Sequence, residues 1–260
     1  MNTVLGRRFC VLHEPEGRAR GGILHVPAFA EEMNKSRRMV SLQAKAFAKA
    51  GYATLVMDLF GCGDSDGLLD GATAEIWLDD IATALKWLAF RVDAPVSVWG
   101  LRTGCLLAVE AASRCERPLD QAVFWQPVMV GETFMSQFLR LKVASEMMGG
   151  KNGKTTKSLI AALDRDETLQ IAGYPLSGAL HRSIAEIDAL SSQKELPWLK
   201  TTWIDIEQRH TVPNMFGGRP VTFLHVEGQP FWKTQEISEC SDLVDATTAV
   251  FANGYVEKAA

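Results

Sequence analysis

The chain has 260 residues, 47% of them hydrophobic and 22% charged, which is enough to bury one sizeable core. A formal net charge of -4, with no basic stripe interleaved with aromatics, gives no electrostatic footprint for nucleic acid. No run of about 18 apolar residues occurs and Met1 to Arg8 lack the pattern of a leader, so the expectation is a soluble cytoplasmic protein, not an integral membrane protein. Five cysteines, Cys10, Cys62, Cys105, Cys115 and Cys240, stand without C-x-x-C spacing, which points to neither a zinc cage nor a disulfide framework. No metal and no cofactor are expected.

In chain order, short β-rich runs alternate with helical patterns, as in βαβ units around a mainly parallel sheet. Gly21 to Val26 is a strand ended by Pro27, and a polar loop, Ala28 to Arg38, leads into a helix from Met39 to Ala50. Tyr52 to Met57 is the next strand, followed by the Gly- and Asp-rich loop Asp58 to Gly67. Trp77 to Phe90 has helical spacing, Val96 to Trp99 is a central strand, and Gln121 to Trp125 is another. Phe134 to Met148 is an amphipathic Met- and Phe-rich helix, Gly149 to Gly153 breaks the pattern, and Thr155 to Ser192 reads as helices with loops. Thr201 to Ile206 and Val221 to Val226 are the last strands, and Ile237 to Phe251 is a closing helix.

The most informative stretch is Val96-Ser97-Val98-Trp99-Gly100-Leu101-Arg102-Thr103-Gly104, followed by the apolar helical run Cys105 to Ala112. A strand, a tight turn between glycines and a helix make the setting of the G-x-S-x-G nucleophile elbow, so the stretch resembles α/β-hydrolases. Arg102 stands where that motif has its serine. A guanidinium stays protonated and cannot attack an acyl carbon.

The whole chain is similar to a narrower group, the exosortase A system-associated hydrolase 2 family. The likeness is carried by Pro27-Ala28-Phe29-Ala30-Glu31-Glu32-Met33-Asn34-Lys35-Ser36-Arg37-Arg38-Met39, Gly61-Cys62-Gly63-Asp64-Ser65, Trp99-Gly100-Leu101-Arg102, Trp125-Gln126-Pro127-Val128, Gln137-Phe138-Leu139-Arg140-Leu141 and Gly228-Gln229-Pro230-Phe231-Trp232. The resemblance implies an α/β-hydrolase fold with arginine at the elbow, and a role beside exopolysaccharide biosynthesis and surface-protein sorting in Gram-negative bacteria. The expected architecture is α/β: one domain over residues 1–260, a mainly parallel twisted sheet flanked by helices, with a small helical cap over about residues 134–192.

In that fold the acid and the histidine follow the nucleophile on later loops. After the elbow the histidines are His181, His210 and His225. His181 is read as a surface residue of the cap and His210 as part of a polar loop with Glu207 and Arg209. His225 is either a base or a core or edge histidine, and the adjoining loop carries Glu227, Gln229 and Trp232 but no His. Asp205 and Glu207 end the strand that usually presents the acid, where they are either pair-forming carboxylates or strand-end caps. Cys62 is either a loop nucleophile or a packed thiol. Cys105 is read as core, and Ser65 as a turn residue.

An arginine at a helix N-terminus supplies bidentate geometry for a carboxylate or phosphate, yet opposes the helix dipole, so an acid must stand close. Glu31 or Glu32 is expected to be that acid. The pair is either a structural bridge over a retired site or part of a polar ligand pocket with Asn34, Lys35, Thr103, Gln126, Gln229 and Trp232. The stripe from Phe134 to Met148 is either core or an acyl-chain or protein interface. Two functions follow: a non-hydrolytic binding or partner subunit taking an anionic or acylated small molecule, or an ester or thioester hydrolase or acyltransferase using Glu31 or Glu32, Arg102 and His225.

Overall fold

The computed structural model describes residues 1–115, 117–150, 154–191, 196–206, 215–216 and 218–253. Two short strands, β1 (Asn2–Thr3) and β2 (Gly6–Arg7), form a hairpin ahead of the edge strand β3 (Cys10–His13). There follow β4 (Gly21–Val26), α1 (Glu31–Lys49), β5 (Tyr52–Met57), α2 (Ala74–Val92), β6 (Val96–Leu101), α3 (Thr103–Ala112) and β7 (Leu119–Trp125). The segment between β7 and the next sheet strand holds α4 (Gly131–Met148), α5 (Thr156–Leu163), the hairpin β8 (Leu169–Ile171) and β9 (Tyr174–Leu176), and α6 (Gly178–Ala185). The described chain closes with β10 (Trp198–Asp205), β11 (Met215–Phe216), β12 (Arg219–His225) and α7 (Ser241–Asn253).

Eight strands make one sheet in the order β11-β12-β10-β7-β6-β4-β5-β3. Its pairings are parallel from β5 to β12, and β3 and β11 join antiparallel at the edges. Every residue of β4 and β6 is buried, as expected for interior parallel strands covered on both faces. Alternation divides the core in two. Leu24, Val26, Val98 and Phe124 face α2 and α3, whereas Ile23, Trp99, Trp125 and Ile204 pack with Met39 and Phe47 of α1 and Leu243 of α7. The N-terminal hairpin is fastened by a buried ion pair, Arg8 Nε to Asp80 Oδ2 at 2.7 Å, whose acceptor oxygen also takes the Phe60 amide.

Three expectations are corrected. Helix α1 begins at Glu31, within the polar stretch read as a loop, so Glu31, Glu32, Asn34 and Lys35 lie on its first turns. The stretch read as helices with loops contains the β8–β9 hairpin. His181 is on the buried face of α6 rather than on the surface, and burial pulls its imidazole pKa down. The stripe on α4 divides, with Phe134, Met135, Phe138 and Leu139 buried and Leu141, Met147 and Met148 exposed.

Candidate functional site

The elbow keeps its backbone without a nucleophile. Arg102 has φ 53° and ψ -122°, a region costly for any residue with a Cβ. Tight packing holds it there: a Cβ on Gly104 would lie 2.2 Å from the Val26 carbonyl oxygen, and one on Gly100 would lie 2.8 Å from Cys105 Cα. The Arg102 amide donates to the Trp125 carbonyl at 3.0 Å, and its own carbonyl accepts from Cys105 N at 3.0 Å and Val128 N at 3.2 Å. A second turn with nearly the same dihedrals, Ala30 at φ 51° and ψ -120°, starts α1 after β4.

These turns bring two helix N-termini together, with Arg102 ahead of α3 and Glu32 on the first turn of α1. Arg102 Nε donates to Glu32 Oε1 at 3.2 Å, Nη2 lies 3.2 Å from the same oxygen, and Nη1 reaches the Gln126 carbonyl at 3.5 Å. The guanidinium therefore rests on one carboxylate oxygen, and Glu32 Oε2 is buried without a partner. Burial pushes the Glu32 carboxyl pKa up, against the lowering pull of Arg102 and then Lys233. On the other side the guanidinium carbon stands 5.6 Å from the Trp232 ring centroid, and Trp232 packs edge-on against Phe231. Both rings are buried in the loop after β12, where the fold usually presents its histidine.

The remaining candidates divide among other tasks. Glu31 Oε2 accepts from the Tyr174 hydroxyl at 3.0 Å, Asn34 Nδ2 donates to the same hydroxyl at 2.6 Å, and Lys35 pairs with Glu31 at 3.5 Å. Tyr174 thus ties the β8–β9 hairpin to α1. Gln126 is buried and its Oε1 accepts from Ile206 N at 2.7 Å, so that side chain braces β7 against β10. Thr103 begins α3, where its amide has no intrahelical acceptor. Its buried Oγ1 has no partner and it lines, with Cys62, Trp77 and Phe29, a cavity of only about 10 Å³. Gln229 is exposed.

His225 is exposed at the end of β12, in register with the buried Asp205 at the end of β10. His210, Arg209 and Glu207 lie outside the described residues. The Cys62 thiol is pushed up to about 12 by burial and then by Asp58 and Asp80, so it is not a thiolate near neutrality. Ser65 donates to the Asp58 carbonyl at 2.6 Å and accepts from Phe9 N at 2.9 Å, a loop-to-strand tie. Asp58 itself is gripped by Arg37 Nη2, with both oxygens at 3.1 Å.

The sheet order, the elbow at the end of β6 and the acid strand β10 define an α/β-hydrolase fold. The model of the serine aminopeptidase family, S33, matches residues 17–172, more than half of the chain, and the chain belongs to that family. Among solved structures it is similar to Est1E from Butyrivibrio proteoclasticus with ferulic acid bound, at TM-score 0.64 and 16% identity over 95% of this chain and 93% of that one. It also resembles alpha/beta hydrolase domain-containing protein 10 from mouse, at TM-score 0.61 and 13% identity over 96% and 94% of the two chains. An alpha-beta serine hydrolase homologue from Coxiella burnetii aligns at TM-score 0.57 and 15% identity over 98% and 95%. At these identities the likeness is one of fold. The comparison with curated proteins finds no match.

Proposed function

We propose that this α/β-hydrolase-fold chain is non-hydrolytic and binds a small anionic or acylated ligand on Arg102. The observation that carries this reading is a guanidinium in the nucleophile's seat resting on one oxygen of Glu32. A carboxylate or phosphate offering two oxygens would meet the guanidinium fork better than Glu32 does. The N-terminal amides of α3 would add to that attraction. Residues 134–192 act as the cap, and Tyr174, bonded to Glu31 and Asn34, ties it to α1. By the likeness of its distinctive strings to the exosortase A-associated group, the chain serves in the cytoplasm beside exopolysaccharide biosynthesis. It works there with a protein partner of that system and without cofactor or metal.

A second reading rests on the register of His225 beside Asp205 at adjacent strand ends, which is where this fold keeps its acid and base. On it the chain is an ester or thioester hydrolase or acyltransferase using water activated near His225, with Arg102 stabilising the oxyanion. The experiment that separates the two measures acid release from short and medium acyl esters and acyl-CoA thioesters by the full chain and by Arg102→Ala, together with calorimetric titration of octanoate and inorganic phosphate. We expect no release above the uncatalysed rate, and binding of at least one anion that Arg102→Ala abolishes. Turnover lost with Arg102 would establish the second reading; absence of both turnover and anion binding would overturn the first.

A further inference from the structure

We infer that the cleft at the amino ends of β6 and β7 is a binding site for a medium-chain fatty acid, its carboxylate held by Lys86 and Arg117 and its tail lying along the last turns of α2. The cleft measures about 710 Å³, within the range of small-molecule sites. It stands at the opposite end of β6 from the elbow, and neither Arg102 nor Glu32 lines it.

Its floor is the core itself. Leu85 of α2, Val96 of β6 and Leu119 of β7 belong to the larger buried cluster, yet each also lines the cleft. Beside them Ala89 and Ala94 leave room, and the Phe90 ring stands at the cleft 90% exposed. Pro95 and Pro118 line it without a backbone N–H to offer. A bare aromatic ring beside a concave apolar surface gains by being covered.

Charge selects the head group. Lys86 and Arg117 line the cleft, both are exposed, and neither has an ion-pair partner among the described residues. The Asp93 carboxylate, which also lines it, lies 3.6 Å from Arg18 Nη2. Two unpaired cations beside an apolar floor favour an anion with a long apolar body. The guanidinium takes a carboxylate through paired hydrogen bonds, and the ammonium adds a point charge. Among the described lining residues none is Ser, Thr, Asn, Gln or Tyr, so a sugar would leave its hydroxyls without partners of those kinds. The volume is several times the roughly 150 Å³ that takes one benzene ring, which gives room for a chain of about ten carbons.

The test is calorimetric titration of decanoate, hexanoate and decyltrimethylammonium into the full chain and into Arg102→Ala, where an anion seated at the elbow no longer contributes. Decanoate is expected to bind both proteins saturably. Its affinity should exceed that of hexanoate at least about tenfold, because more methylenes leave water, and that of the cation with the same tail by a similar factor. Lys86→Glu combined with Arg117→Glu reverses two exposed charges and should weaken decanoate at least about tenfold. Ala89→Trp fills the cleft from a half-buried position and should abolish binding there. Decanoate binding no tighter than that of hexanoate or of the cation, or binding to Arg102→Ala that survives the charge reversal or Ala89→Trp, would overturn the assignment. So would the absence of saturable binding to Arg102→Ala, even where the unaltered chain took decanoate, since that binding would belong to the elbow.

Discussion

Replacing Glu32 by leucine strands the Arg102 guanidinium, whose side chain is 16% exposed, at the positive end of α3. At 3.2 Å and an effective dielectric constant of about 20, the pair attracts by about 5 kcal/mol. Desolvation of both partners offsets part of that, and the Gln126 carbonyl and the Trp232 ring still receive the guanidinium in the variant. The net cost should be about 2–4 kcal/mol, which in a chain of this size lowers Tm by roughly 5 to 15 °C. Arg102→Met should cost a similar amount, because it leaves the Glu32 carboxylate without its main partner. The double variant, Glu32→Leu with Arg102→Met, removes both charges and puts apolar groups against Trp232, so it should lie within about 1 kcal/mol of the parent. Urea and thermal unfolding of the four proteins give the coupling energy directly. Additive single losses, or single variants as stable as the parent, would refute the view that the two charges depend on each other.

Three further outcomes follow from the structure. His25 has its pKa pulled down to about 3 by burial while an unfolded histidine titrates near 6.5, so below about pH 6.5 the unfolded chain binds the extra proton. Stability should then fall as pH drops from about 6.5 towards 3, by a few kcal/mol in all, and His25→Phe should flatten that part of a pH series of urea midpoints. Gly104→Ala would set a Cβ 2.2 Å from the Val26 carbonyl oxygen and 2.6 Å from that of Pro27, so we expect a loss of more than about 4 kcal/mol or no soluble product, read by circular dichroism and expression yield. With its thiol pushed up to about 12, Cys62 should resist iodoacetamide at neutral pH for as long as the chain stays folded, and rapid labelling by peptide mass mapping would contradict its packing.

The strands were legible where burial on both faces demands mostly apolar runs, as in Gly21 to Val26 and Val96 to Trp99, and the elbow where Gly100 and Gly104 flank Leu101-Arg102-Thr103. The start of α1 was not. Its first two turns carry Glu31, Glu32, Asn34, Lys35, Arg37 and Arg38, which read as a solvated loop because their partners, Arg102, Tyr174, Asp58 and Glu239, lie far away in the chain. The acidic pair ahead of an apolar period was the available sign of a helix start. The β8–β9 hairpin was hidden by its brevity, three residues a strand, and β3 by its place at an edge, where only half of its side chains need be apolar. That Arg102 requires an acid follows from charge at a helix end, but the choice of Glu32 over Glu31 depends on which way each faces from α1, and Glu31 is taken by Tyr174.

The twin turns at Ala30 and Arg102 follow strands that lie side by side, β4 and β6, with Val26 opposite Gly100. Each strand launches its helix from the same kind of pivot, and each helix start carries one half of the ion pair. The separation of Glu32 from Arg102 is therefore a vernier on the sheet: slide β4 past β6 by one residue, about 3.3 Å, and the two charges no longer meet. Whatever alters that spacing would be felt first as a mechanical misalignment between neighbouring strands, and any agent that holds the strands in step would also hold the charges together.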